Sequence, residues 1–138
     1  MAREVQHGRR VLILCDLRDH CRVLAAALMV GGIAAQAVTG SKTSKQRAEA
    51  FEAMRSGALS VMVATSLADE GLDIPELDTV VLATPCSNPG RVEQRIGRAL
   101  RPAAGKHRPR VIDLLDDWGP YQGYGRRRAK LYRERGWL

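Results

Sequence analysis

Gln94, Arg98 and Arg101 stand in the stretch Arg91-Val92-Glu93-Gln94-Arg95-Ile96-Gly97-Arg98-Ala99-Leu100-Arg101-Pro102. On a helix advancing about 100° per residue, these three side chains fall within about 60° of one another, with Arg91 nearby. Val92, Ile96, Ala99 and Leu100 fall opposite, so the predicted helix has an apolar side and a cationic side. Each guanidinium is a planar fork of donors that suits phosphate oxygens, and two of them at i, i+3 with an amide one turn earlier could grip a polyphosphate. Gly97 would let such a group approach the helix closely. A solvated arginine face is the ordinary alternative for a charge run.

The same chain offers no cradle for that polyphosphate. In Thr39-Gly40-Ser41-Lys42-Thr43, a phosphate-binding loop would need glycine where Ser41 and Gln36 stand. Gly105-Lys106 is followed by His107, which cannot replace the magnesium-binding hydroxyl. Asp69-Glu70 lies several residues past the expected strand end, not at it, and so does not read as a magnesium-holding acid pair. No metal site is expected. The chain alone is expected to lack an ATPase site, and a partner must bring the nucleotide.

The elements that would position these residues alternate. Val11 to Cys15 (VLILC) reads as a buried central strand. Asp16 is placed to cap the next helix, which Gly31-Gly32 stops. Ile33 to Val38 reads as a second strand, and Thr43-Ser44-Lys45-Gln46 as a capping box. The helix it opens turns Ala48, Phe51 and Met54 inward and ends at Gly57. Leu59 to Ala64, Thr79 to Ala83 and Val111 to Leu115 supply three more strands. Asn88-Pro89 caps and starts a helix running to about Arg101, closed by Pro102. Apolar strands alternating with helices predict an α/β fold, an open parallel sheet of five or more strands with helices on both faces.

Size and composition set the remaining bounds. At 138 residues one domain is expected, with residues 118–138 as a basic C-terminal extension. That extension reads as a helix either docked by Leu131, Tyr132 and Trp137 or contacting nucleic acid. A net charge of +7 favours a polyanionic partner, nucleic acid first. No apolar run approaches the ~20 residues that span a bilayer, and MAREVQHGRR has no hydrophobic signal region, so a soluble cytoplasmic protein without a membrane partner is expected. Cys15, Cys21 and Cys86 form neither a CxxC pair nor an even set, which argues against a disulfide framework or zinc site.

ATSLADEGLDIP, at residues 64–75, followed about twenty residues later by QRIGRALR, at 94–101, resembles motifs V and VI of superfamily 2 DEAD/DEAH-type helicases. VLILCDLRD resembles the motif IV strand and turn, and VTGSKTSKQRAEAF the segment that follows it. The resemblance covers roughly residues 10 to 116 and implies the second, C-terminal RecA-like domain of such a motor. It implies arginine fingers at Arg98 and Arg101, Gln94 near the γ-phosphate, Asp73 toward the ribose, and a tight backbone at Gly71. ATP with Mg2+ would be held mainly by a first, N-terminal RecA-like domain carrying the P-loop. Thr65 matches a hydroxyl that meets a nucleic-acid phosphate, Thr39 and Gly40 match backbone amides that do the same, and Arg18 is a further candidate. Asp73 capping a turn and Thr65 as an ordinary strand-end residue are the alternatives. DEAD-box proteins typically show HRIGRTGR, and here Gln94 replaces the histidine and Ala99-Leu100 the Thr-Gly. That departure favours DNA over RNA. A non-motor nucleic-acid-binding module on the same fold is the alternative function.

Overall fold

Val11–Cys15, Val61–Thr65 and Thr79–Leu82 are buried along their whole length. A strand with neighbours on both sides and layers on both faces has no solvent-facing position, so its sequence is largely apolar instead of alternating. A computed structural model describes residues 1–65, 72–86 and 88–138, the side chains of Arg98 and Ala99 excepted. The elements are α1 (Ala2–Gln6), β1 (Val11–Cys15), α2 (Arg18–Val30), β2 (Ala35–Val38), α3 (Ser44–Ser56), β3 (Val61–Thr65), β4 (Thr79–Leu82), α4 (Pro89–Ala99), β5 (Arg110–Asp113) and α5 (Tyr121–Glu134).

The five strands form one parallel sheet in the order β2-β3-β1-β4-β5. The chain leaves β1 toward the β2 edge, then reverses and builds toward β5. With right-handed crossovers, such a reversal moves the connecting helices to the other face. The core divides accordingly. Val11, Ile13, Val61, Val63 and Val81 pack with Cys21 and Ala25 of α2, and Val5 of α1 joins them. Leu12, Leu14, Met62, Val80 and Leu82 pack with Met54 of α3, Val92 and Ile96 of α4, and Leu131 and Tyr132 of α5.

Several local expectations hold and several do not. Thr43 and Gln46 form the reciprocal capping box, and Gly57 ends α3 in the left-handed region at φ 86°. The Asn88 side chain accepts from the Arg91 amide with Pro89 in the first turn. Asp16 does not cap α2, whose N-cap is Leu17 with no side-chain bond. Ala48 is exposed, and Ala50 faces the core instead. The fifth strand stops at Asp113, whose carboxylate bonds to Arg128 of α5, and Leu114 and Leu115 beyond it are exposed. The short helix α1 has no counterpart in the sequence expectations. Helix α4 ends at Ala99, so Arg101 lies past it. The residue before a proline is sterically pushed out of the α region, and Arg101 precedes Pro102.

Candidate functional site

Parallel strands deliver their C-terminal ends to one edge of the sheet, and most of the residues of interest gather there. Val38 of β2 is in register with Ala64 of β3, and Thr65 with Cys15 of β1. Continuing that register by one residue sets Thr39, Thr65 and Cys15 in a row at this edge. Thr39 is buried, its hydroxyl 2.8 Å from that of Ser41, and its carbonyl accepts from the Lys42 amide at 2.9 Å. Gly40 is exposed beside it. Thr65 is also buried, and among the described residues its Oγ1 has no hydrogen-bond partner. Net loss of a buried hydroxyl's hydrogen bonds costs ~1–3 kcal/mol, so an orphan of this kind calls for a reason.

Cys15 at the end of the row is not a nucleophile. Burial, followed by the charge of the neighbouring Cys21, pushes its thiol up to about 12, and burial raises that of Cys21 as well. Both stay protonated at neutral pH, whereas thiolates are what attack or bind metals. Among the described residues no His, Cys, Asp and Glu group has the arrangement to hold a metal ion.

Helix α4 is fastened to the same edge. Val92 and Ile96 are buried, and Arg95, with 7% of its surface exposed, reaches Asp16 at 3.3 Å just after β1. Its opposite side is open: Arg91, Gln94 and Gly97 are exposed, and a Cβ on Gly97 would meet nothing within 4 Å. Arg101 is exposed just past the helix, its side chain without an ion pair among the described residues. The Arg98 side chain lies outside the described residues, as does Gly71. Gln94 is therefore presented from within α4 and Arg101 from the chain just past its end, not by one continuous helical face.

Asp73 lies elsewhere on this face. Its neighbours Leu72 and Ile74 are buried in the cluster that holds Val92 and Ile96, while Asp73 is exposed and its carbonyl accepts from Arg55 Nη2 at 2.6 Å. Arg55 belongs to the last turn of α3, so Asp73 is not part of the threonine row. Arg18 is exposed at the start of α2, just past the Cys15 end of that row.

Two arrangements escaped the sequence reading. Arg95 had a detectable signal, since its wheel position borders Val92 and Ile96, but its partner Asp16 is 79 residues away. The second lies on α5. Arg128, 1% exposed, donates to both Asp113 carboxylate oxygens at 2.7 and 2.9 Å and to the Cys86 carbonyl at 2.9 Å. The Tyr132 hydroxyl donates to the same carboxylate at 2.8 Å. Burial works against the Arg128 charge, yet the Asp113 bonds outweigh it and raise its pKa, while burial followed by Asp113 raises that of Tyr132. No helix among the described residues is long and apolar enough to cross a membrane.

Residues 1–103 match the family model described as helicase conserved C-terminal domain. The ATP-dependent DNA helicase MPH1 of Pyricularia oryzae is 35% identical over 108 residues, which is 70% of this chain and 10% of that protein. The pre-mRNA-splicing ATP-dependent RNA helicase prp28 of Sclerotinia sclerotiorum is 35% identical over 96 residues, 70% of this chain and 12% of that protein. This chain thus spans about a tenth of such relatives. A solved DEAD box protein from Methanococcus jannaschii superposes with a TM-score of 0.75 at 23% identity, covering 91% of this chain and 33% of its own.

Proposed function

The chain belongs to the family of helicase conserved C-terminal domains, and from that premise we propose that it is the second RecA-like half of an ATP-dependent helicase or translocase acting on DNA. In this reading residues 1–138 form one domain with residues 118–138 as an extension. ATP with Mg2+ is held mainly by an N-terminal RecA-like domain carrying the P-loop. Arg98 and Arg101 meet the charge that builds on the transferring phosphoryl group, a role worth ~10³ to 10⁵ in rate. Gln94 sits near the γ-phosphate and Asp73 near the ribose, with Gly71 allowing the tight turn. Thr65, Thr39, Gly40 and Arg18 hold the sugar-phosphate backbone, which carries no sequence information and so suits a moving motor.

The observation that carries this reading is the division of labour on α4. Arg95 and the apolar residues fix the helix to the sheet edge, while Gln94 and Arg101 remain exposed. The DNA preference rests on Gln94 and on Ala99-Leu100, where the sequence departs from the DEAD-box pattern.

Phosphate release separates this reading from a non-motor binding module. The isolated chain is expected to release no phosphate from ATP. The full enzyme is expected to do so with DNA stimulation, and Arg98→Ala or Arg101→Ala to lower its turnover by ~10² or more while DNA affinity changes little. Wild-type turnover in both variants rules out the finger role, and robust hydrolysis by the isolated chain rules out the need for a partner.

A further inference from the structure

Helix α5 lies beyond the residues matched by the family model, and its free end carries a run of rings. Trp118 and Tyr121 have centroids 6.0 Å apart, Tyr121 and Tyr124 meet edge to face at 5.7 Å, and the Arg127 guanidinium lies 5.3 Å from the Tyr124 centroid. Tyr121, Tyr124 and Arg127 follow one another at i, i+3 along α5, and Trp118 stands in the turn that leads into it, so the ring-to-ring contacts, more than a shared helical face, join the four. Trp118 is 71% exposed and Tyr121 37%.

Contacts fix where this stripe stands. Arg128 and Tyr132 are clamped to Asp113, the last residue of β5, and Gly125 packs against Leu115, two residues further on. Moving toward the start of α5 therefore means moving past the C-terminal edge of the sheet, and Trp118, Tyr121 and Tyr124 project beyond it. On the helical wheel Tyr121 and Tyr124 share the arc, about 100° wide, of the buried Arg128, Leu131 and Tyr132. The side of α5 that covers the sheet lower down thus overhangs its upper edge. Strands β3 and β5 are three places apart, about 14 Å, a distance a few nucleotides of single strand can span.

We propose that the Trp118–Tyr121–Tyr124–Arg127 stripe is a stacking platform for the bases of single-stranded nucleic acid whose backbone crosses the sheet edge at Thr39 and Thr65. Aromatic rings take any base by its π face, and a guanidinium over a ring extends the platform. The charge is complementary: Arg126, Arg127 and Arg133 make no ion pair among the described residues. Asp117, the nearest acid before the stripe, is bound by Gln122 on another side of the helix. This goes beyond the motor reading, since it adds base contacts outside the matched family region and needs no ATP.

The test uses the 138-residue chain with Trp137→Phe, which leaves Trp118 as the sole tryptophan, and fluorescein-labelled dT15. Expected are quenching of Trp118 emission on titration and, in Trp118→Ala and Tyr121→Ala, about tenfold weaker binding each, as the anisotropy of the label reports. That loss persists at 0.3 M salt, where phosphate contacts are screened. Tyr121→Leu, which keeps an apolar side chain, gives the same loss if stacking is the cause, and far-UV melting checks that each variant folds. Unchanged Trp118 emission during binding overturns the proposal, as does wild-type affinity in the double variant. Failure to bind dT15 at all overturns it too. Loss of affinity for the P-loop domain with dT15 binding intact overturns it by assigning the stripe to an interdomain contact. The motor reading is scored separately, through Thr65→Val and phosphate release.

Discussion

Thr65 is a residue whose fold and whose proposed role pull in different directions. Its hydroxyl is buried at the end of β3 and, among the described residues, unpaired, whereas a valine of the same shape would leave no polar atom to satisfy. Thr65→Val is therefore expected to hold or raise the melting temperature, by up to ~1 kcal/mol of stability, while weakening the full enzyme's grip on DNA. A loss of stability together with unchanged binding would make Thr65 an ordinary strand-end residue. Cys15, its neighbour across the ladder, makes a pH-dependent prediction. Its thiol is raised from 9.0 to about 12 in the folded chain, so the unfolded chain loses the proton first as pH rises. The resulting stability is present in full below pH 9 and is lost between about 9 and 12. Thermal melts across that range should fall more steeply for the wild type than for Cys15→Ala, and parallel profiles would refute the assignment.

Among the elements, α4 is where a single residue decides the geometry. Pro102 disfavours the α region at Arg101, and Arg101 lies past the end of α4, so a continuous cationic face becomes one helical group and one group beyond the helix. Replacing Pro102 with alanine should let α4 extend and carry Arg101 around by part of a turn. Higher helicity by circular dichroism with lower turnover of the full enzyme is the expected pair of results, and wild-type turnover in a lengthened helix would show that the position of Arg101 is immaterial. Gly57 offers a control on the fold alone. Its φ of 86°, in the left-handed region, makes Gly57→Ala costly, by ~1–2 kcal/mol in denaturant melts, whereas the nearby end of the Arg10 side chain can move aside. These elements also show what was legible beforehand. Apolar runs, the Thr43–Gln46 box and Asn88-Pro89 are local signals, and the strands, α3 and the start of α4 follow from them. Asp16 was misread because a capping residue and an ion-pair partner look alike in sequence. What decides between them is Arg95, brought to the sheet edge by three intervening strands. The end of α4 falls short of its expected bound for a different reason: helical periodicity continues to about Arg101, but the chain leaves the helix at Leu100, ahead of the residue that Pro102 bars from the α region.

At the scale of the molecule, α5 is joined to the sheet by chemistry that averages poorly over a sequence window. Arg128 and Asp113 are both nearly inaccessible, the pair is bidentate, and Tyr132 and the Cys86 carbonyl satisfy further positions on it. Arg135 adds an ion pair to Glu93 of α4 at 2.5 Å, so the extension braces the helix that bears Gln94. Removing one member of a buried pair strands the other, at ~3–5 kcal/mol, whereas replacing both with apolar groups of similar volume is close to neutral. Arg128→Met and Asp113→Leu should each lower the denaturant midpoint by that order, and the double variant should recover much of the loss. In the single variants, the buried cluster shared by α3, α4 and α5 predicts that loss of far-UV helicity and of tryptophan signal still coincide in one transition. Additive losses in the double variant would mean that Arg128 and Asp113 are not coupled, and a separate early transition of α5 would mean that the extension is an appendage instead of part of the core that holds α4 in place.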